Sequence, residues 1–199
     1  MRFGKWLIAV LFAWPWAVLA EPVGTVQRVA GDARADGVAL ASGTAFESGA
    51  ELTTGDNSRL EIAFVDGGRL VLGEHARLKV ERYLYDPAAN SGEARLKVTD
   101  GAFLITSGAV AKLPGRPLSV ATPVAVIGVR GTRFWGGPLG NPLDVLVLEG
   151  AVTVTNNAGH VDLDAGQGTG VAAVDQAPGA PVKWGEAKIR RALDSVEFR

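Results

Sequence analysis

Apolar and polar residues alternate along most of the chain, and an acidic residue followed by glycine marks the places where the alternation breaks. Segment 60–64 reads LEIAF, and the turn signal Asp66-Gly67-Gly68 comes shortly after it. Alternation with a period of two, bounded by glycine turns, is typical of short strands joined by tight corners. Similar units recur at 96–105 and 145–154. The pattern from Val23 to about Val174 therefore predicts an all-β body of short strands.

The turns of these units are unevenly spaced along the chain. Their acidic residues are Asp66, Asp100 and Glu149, so the units are quasi-repeats separated by insertions and not a strict array. Corners of this kind predict a solenoid-like or β-helical body. A two-sheet β-sandwich is the alternative, because both architectures use short alternating strands.

The last segment of the chain changes from alternation to a helical period. Ile189, Leu193 and Val196 recur at spacings of four and three, which places them on one face of a helix. The pattern predicts a C-terminal amphipathic helix after a linker rich in proline and glycine that begins near residue 176. Covering an open end of the β structure is the favoured role, and docking a partner is the alternative.

The N-terminal segment has the layout of a secretory signal peptide. Arg2 and Lys5 precede an apolar run over 6–19, and small residues at 18–20 form a cleavage site. The run is shorter than the roughly 20 residues of a spanning helix, so a retained membrane anchor is the less favoured alternative. We predict a signal peptide at residues 1–20, a β domain at 21–175, and a linker with a helix at 176–199.

Composition narrows the class of protein further. The chain has no cysteine, which excludes disulfides, thiol nucleophiles and the lipid-bearing cysteine of a lipoprotein. The net charge is −1, and it becomes more negative by two when Arg2 and Lys5 are removed. No basic run favours nucleic acid or an anionic membrane. We therefore expect a soluble periplasmic protein without membrane insertion after cleavage.

The motifs of catalysis and of metal binding are missing from the sequence. His75 and His160 stand far apart in polar, turn-like segments without a metal-ligand spacing. No nucleophile elbow and no complete phosphate loop is present. We predict no catalytic residue, no metal and no cofactor. A hydrolase that uses Asp100 or Glu149 is the least favoured hypothesis, since both precede glycine in turns.

The segment GVRGTRF at 128–134 is the most distinctive stretch. Gly128 and Gly131 predict a sharp bend after an apolar strand. Arg130 within such a bend would either point to solvent or lock neighbouring strands. The lock is favoured, because a guanidinium offers five donors in a fixed fork. An anion-binding nest of backbone amides is the alternative.

The same segment carries a family resemblance. Residues 122–134, TPVAVIGVRGTRF, closely resemble the signature of the FecR domain family, and Thr122, Pro123 and Thr132 belong to its most specific part. Companion segments occur in the expected order at 49–55, 64–70, 96–103, 147–152 and 165–168. The resemblance covers roughly residues 23–174, which is nearly the whole chain after the signal peptide.

The resemblance implies a periplasmic all-β domain that senses and transmits a signal. In the best-known members, this domain follows a cytoplasmic anti-sigma segment and one membrane helix, and an outer-membrane transducer of the TonB-dependent class signals to it. Here no such segment precedes the apolar run, and only residues 175–199 follow Val174. We therefore expect a stand-alone exported domain without direct control of a sigma factor.

The favoured function is a non-enzymatic periplasmic module for protein binding, signalling or scaffolding, whose partner is another envelope protein. We predict contact through Arg133, Phe134 and Trp135, because arginine and tryptophan are typical of interface hot spots. Strand alternation would turn Phe134 inward and Trp135 outward. The alternative is a binding domain for a small ligand or envelope glycan, which requires an exposed aromatic row from Tyr83, Tyr85 and Trp135. The oligomeric state stays open.

Overall fold

The computed structural model describes residues 21–115 and 117–198. The predicted signal peptide at residues 1–20 lies outside the described residues. Within the two described ranges, no helix has the length and the apolar character needed to cross a membrane.

The regular structure of the described residues consists mainly of β-strands. The first eight are β1 (Gly24–Ala30), β2 (Ala33–Ala35), β3 (Val38–Ala39), β4 (Ala45–Phe46), β5 (Glu51–Thr54), β6 (Arg59–Phe64), β7 (Arg69–Leu72) and β8 (Arg77–Asp86). The other eight are β9 (Ser91–Asp100), β10 (Phe103–Thr106), β11 (Leu118–Ala121), β12 (Val126–Gly137), β13 (Leu143–Asn156), β14 (Gly159–Asp164), β15 (Gln167–Val171) and β16 (Val182–Lys183). A short 3-10 helix spans Val110–Lys112, and helix α1 spans Glu186–Asp194.

These sixteen strands form one continuous, curled sheet. Its main path runs in the order β3-β2-β5-β8-β9-β11-β12-β10-β7-β6-β1-β4. A branch leaves this path at β12: β13 pairs with β12, β14 and β15, and β16 pairs with β15. The strands β3 and β4 stand at opposite ends of the path, yet only residues 40–44 connect them along the chain. So short a connection requires the two ends to lie close together, and the sheet therefore curls around its inner face.

The all-β prediction is confirmed. The described strand pairs are antiparallel, with the exception of β9 and β11, which run parallel. The finer prediction of a solenoid is not confirmed by this strand order. The single sheet also differs from the two sheets of the sandwich alternative. The predicted boundaries at 21–175 and 176–199 stay predictions.

The predicted alternation places the main hydrophobic core on the inner face of the sheet. In β6, Leu60, Ile62 and Phe64 are buried, while the residues between them are partly exposed. Most buried hydrophobic residues of the strands form one contiguous cluster. Because each fully buried leucine or isoleucine side chain contributes about 2 kcal/mol, this cluster is the main source of stability.

A second, smaller apolar cluster lies on the outer face of the sheet, beneath α1. Trp135 and Leu146 form its sheet side, and Trp184, Ala192 and Val196 pack on them from the C-terminal segment. The predicted helix is therefore present. It covers part of a sheet face and not an open end, because the outward side chains of β12 and β13 are large and apolar at this place.

Polar contacts also hold this C-terminal arm, which we define as residues 182–198. The Lys188 ammonium lies 2.9 Å from Oδ1 of Asp144 and 3.8 Å from the ring centroid of Trp184. Nε1 of Trp135 donates a hydrogen bond of 3.0 Å to Oγ of Ser195. Asp144 is fully buried, so its carboxylate must find all its partners within the protein.

Candidate interaction surface

The signature segment begins with a tight turn between β11 and β12. Oγ1 of Thr122 donates to the carbonyl oxygen of Ala125 at 2.8 Å and accepts from its backbone N–H at 3.1 Å. Pro123 lies exposed within the turn, where its fixed φ angle favours the reversal. These two residues act on the backbone, in agreement with a structural role.

The bend of the signature is a β-bulge at residues 130–133 of β12. The pairing with β13 shifts register there, between Arg130 and Arg133 and again between Arg133 and Phe134. Gly131 has a φ of +56°, and the backbone N–H of Thr132 donates to Oγ of Ser107 at 2.7 Å. Oγ1 of Thr132 lies 2.7 Å from the carbonyl oxygen of Ala151. Thr132 therefore pins the bulge to both neighbouring strands.

The two glycines of the signature have different roles. Gly128 lies in regular strand, paired with Ser119 and Thr153, and does not form the bend that the sequence predicts. A Cβ there would meet only the carbonyl oxygen of Thr153, at 3.9 Å. Gly131 also has open space, but its positive φ disfavours any side chain.

We expect Gly131→Ala to lower the free energy of unfolding by about 1 kcal/mol, because alanine pays a steric penalty in the left-handed region. The matched variant Gly128→Ala should change it by less than about 0.5 kcal/mol. Urea denaturation followed by circular dichroism measures both values. Equal losses in the two variants would contradict the assignment of the bend to Gly131.

Arg130 is not the lock that the sequence predicts. Its side chain is exposed on the outer face, and no ion pair or side-chain hydrogen bond joins it to another described residue. The outward position follows from strand alternation, since Val129 beside it is buried. The prediction assumed an ion pair with a carboxylate. Asp162 and Asp164 line the same surface depression as Arg130, but neither forms an ion pair with it.

Asp66 performs the locking role instead. Its Oδ1 accepts from the hydroxyl of Tyr83 at 2.7 Å and from the backbone N–H of Gly68 at 2.9 Å. Its Oδ2 accepts from the backbone N–H of Val110 at 2.9 Å. Burial and then the negative charge of Asp66 raise the pKa of Tyr83. The Asp-Gly-Gly turn signal pointed to Asp66, but only as a local turn residue.

The predicted contact triplet divides between the two faces of β12. Phe134 packs in the main core, and Trp135 points outward as alternation requires, but both side chains are fully buried. Trp135 is buried because the C-terminal arm covers it. Neither ring is therefore accessible to a partner while the C-terminal arm packs on the sheet. Arg133 is the exposed member of the triplet.

Arg133 lines a groove between the sheet and α1. The groove has a volume of about 560 Å³, and Leu104, Ile189 and Leu193 supply its apolar side chains. Charged residues of both signs surround them: Arg133, Glu186, Arg190, Asp194 and Glu197. We call this site the Arg133 groove.

The aromatic row that glycan binding requires is not formed. Tyr83 is buried and stacks on Phe64, with ring centroids 4.2 Å apart. Trp135 belongs to the separate outer cluster, and Tyr85 is partly buried against the main core. The three rings therefore offer no continuous exposed platform.

The histidines and the turn acids lie apart from this groove. Nε2 of His75 is 3.1 Å from Oδ1 of Asp56 at the surface. Asp100 and Glu149 are exposed, as expected for turn residues. Among the described residues, no group of three or more histidine, aspartate or glutamate side chains could hold a metal ion.

Together the curled sheet and the bulged signature strand define a mainly antiparallel all-β domain. The sequence model described as "FecR protein" matches residues 50–153, which is just over half of the chain. The protein belongs to the FecR family. The matched range lies inside the region of resemblance that the sequence indicated. No curated protein sequence matches the chain significantly.

Solved structures show the same fold. Two crystal structures of a "putative anti-sigma factor" from Parabacteroides distasonis, at 1.65 Å and 2.50 Å resolution, superpose on the chain with a TM-score of 0.56 and 16% sequence identity. Each superposition covers 72% of this chain. The chain spans 64% and 63% of the length of these two structures.

Proposed function

We propose that this FecR-family protein is a non-enzymatic, periplasmic protein-binding module that serves in signalling at the cell envelope. The observation that carries the proposal is the position of Arg133, which points outward from the signature strand into the groove beside α1. The family and the described role of its structural relatives support a regulatory function over a metabolic one. The signal peptide that the sequence predicts supports the location.

The chemistry of Arg133 suits an interface. Its guanidinium makes no ion pair with another described residue, although Glu149 stands opposite it in the register of β12 and β13. Arginine is over-represented among the residues that dominate binding energies, because it combines an apolar stem with five directed donors. An exposed arginine beside a groove is therefore available to a carboxylate or carbonyl of a partner.

The Arg133 groove also favours a protein over a small anion. Its apolar side chains are flanked by two cations and three carboxylates. A small anionic ligand would meet more repulsive than attractive groups. A polypeptide segment can place an apolar side chain on Leu104 and Ile189 and match charges of both signs around it, as the core and rim of protein interfaces do.

Periplasmic crosslinking of the tagged protein, followed by affinity capture and mass spectrometry, tests the proposal. We expect wild type to capture one envelope protein. Arg133→Glu should capture it at least about tenfold less, because removal of a hot-spot arginine costs more than about 1.4 kcal/mol of binding free energy. Trp135→Ala is unsuitable here, since this ring belongs to the outer core.

Lys183→Glu provides the matched control. Lys183 is an exposed cation on β16, and its reversal produces the same change in net charge as Arg133→Glu. Thermal unfolding must be equal in the three proteins before the captures are compared. Equal capture by Arg133→Glu and wild type, or no capture by the folded wild type, would contradict the proposal.

A further inference from the structure

A broad part of the outer sheet face carries no covering element among the described residues. It belongs to six neighbouring strands in the order β8-β9-β11-β12-β13-β14. The register aligns their outward side chains in rows across the sheet. One row contains Lys79, Lys97, Ala121, Val126, Thr155 and His160. The next contains Arg82, Arg95, Ser119, Gly128, Thr153 and Asp162. We call these two rows the open face.

The centre of the open face carries small side chains. Ser119, Gly128 and Thr153 lie side by side on β11, β12 and β13, and Val126 adds an exposed apolar side chain in the next row. Sheets with ordinary side chains pack about 10 Å apart, and small side chains allow a closer approach. A second surface of small side chains can therefore approach this centre closely.

One side of the open face is basic. Lys79 stands opposite Lys97, and Arg82 stands opposite Arg95, on β8 and β9. Like charges in directly opposite positions destabilise a sheet. Glu93 lies 2.7 Å from Arg82 and 3.0 Å from Arg95. It offsets one of their two charges, and neither lysine has an ion pair with another described residue.

The other side of the open face carries two aspartates, and the exposed Arg130 stands in the row of the second, Asp164. Asp162 stands in the same row as Arg82 and Arg95, on the edge strand β14, and Asp164 follows two positions later. Both are exposed, and the hydroxyl of Thr153 donates to Asp162. Neither aspartate forms an ion pair with another described residue. Positive and negative groups thus stand at opposite ends of one row.

We propose that the open face is a self-complementary interface, and that its partner is a second copy of this chain. A two-fold axis parallel to the strands, placed between β11 and β12, brings β8 of one copy over β14 of the other. Arg82 then faces Asp162 of the second copy, and the contact occurs twice by symmetry. The small residues of the two centres meet between these charged ends.

The charge pattern favours a second copy over an anionic polymer. A polymer of negative charge would be attracted by the four cations of the two rows and repelled by Asp162 at the end of one row and by Asp164 beyond it. A second copy satisfies both ends at once. Six strands at about 4.8 Å spacing span roughly 24 Å. That width makes a small interface, so we expect a weak dimer whose population depends on concentration and falls with added salt.

Charge reversal on the full chain tests this inference by sedimentation velocity over a concentration series. Wild type should show reversible dimerisation. Arg82→Glu alone and Asp162→Lys alone should each weaken it at least about tenfold, because each creates two like-charge contacts in the dimer. An equal mixture of the two variants should dimerise again, since the introduced glutamate of one copy then faces the introduced lysine of the other.

The mixture separates the proposal from trivial explanations. Damage to the fold cannot be repaired by mixing, and neither can the loss of a site for an anionic polymer. A wild type that stays monomeric throughout the series would overturn the proposal. So would single variants that dimerise like wild type, or a mixture that stays monomeric. The interface is separate from the Arg133 groove, so both single variants should still capture the envelope partner as wild type does.

Discussion

Asp66→Ala should lower the free energy of unfolding by about 4 kcal/mol, because three buried donors lose their acceptor and each unpaired donor costs about 1–3 kcal/mol. The donors are the hydroxyl of Tyr83 and the backbone N–H groups of Gly68 and Val110. They belong to three separate segments, so the loss should affect the whole domain. Urea denaturation followed by circular dichroism measures the change.

Asp100→Ala is the control, because Asp100 also precedes glycine at the end of a strand. Its carboxylate is exposed, bonded to Thr99 and 3.9 Å from Nε of Arg77. Exposed contacts of this kind contribute less than about 1 kcal/mol. Similar losses in the two variants would show that Asp66 acts only as a turn residue. Asp66→Asn should lower the free energy of unfolding by an amount between those of the two alanine variants, since the amide keeps one acceptor oxygen.

Asp144→Ala should release the C-terminal arm. The buried carboxylate accepts from the backbone N–H groups of Gly140 and Asn141, from the Asn141 side chain, and from Lys188. Loss of this acceptor should lower the free energy of unfolding by about 3 kcal/mol. The Lys188 ammonium contributes little to this value, because water reaches it in part. Hydrogen exchange should rise over residues 184–198 and stay unchanged in β6. A red shift of the Trp135 and Trp184 fluorescence should accompany it.

The stabilisation of the C-terminal arm by Asp144 depends on pH. Burial alone would raise the pKa of Asp144, but the hydrogen bonds from Lys188, Asn141 and Gly140 outweigh it and hold the pKa below the ordinary value of 3.8. The stabilisation is therefore complete above about pH 5 and is lost as the pH falls through the lowered folded pKa. Asp144→Asn should lack this acid-dependent release. An arm that opens between neutral pH and about pH 5 in wild type would contradict this explanation.

Local patterns were sufficient for part of this structure. The alternation of β6, the acidic-glycine turns and the helical spacing of Ile189, Leu193 and Val196 depend on neighbours a few positions apart. The all-β class and the presence of α1 were predictable for that reason. The family was also predictable, because its signature is a continuous segment.

The errors concern contacts between residues far apart in the sequence. Asp66 meets Tyr83 across 17 positions and Val110 across 44, so no local pattern identified it as a lock. Trp135 was correctly predicted to point outward, but Ser195, 60 positions away, belongs to the arm that covers it. The outward position of Arg130 was missed because the sequence predicted a bend at Gly128, where the strand in fact continues.

The position of β12 in the strand order has a consequence for the order of assembly during synthesis. Its first half pairs with β11 and its second half with β10, while β13 covers the opposite edge along almost its whole length. An emerging chain can therefore complete only one edge of β12 until residue 156 has appeared. Until then, the signature strand presents unpaired N–H and C=O groups that attract other strands.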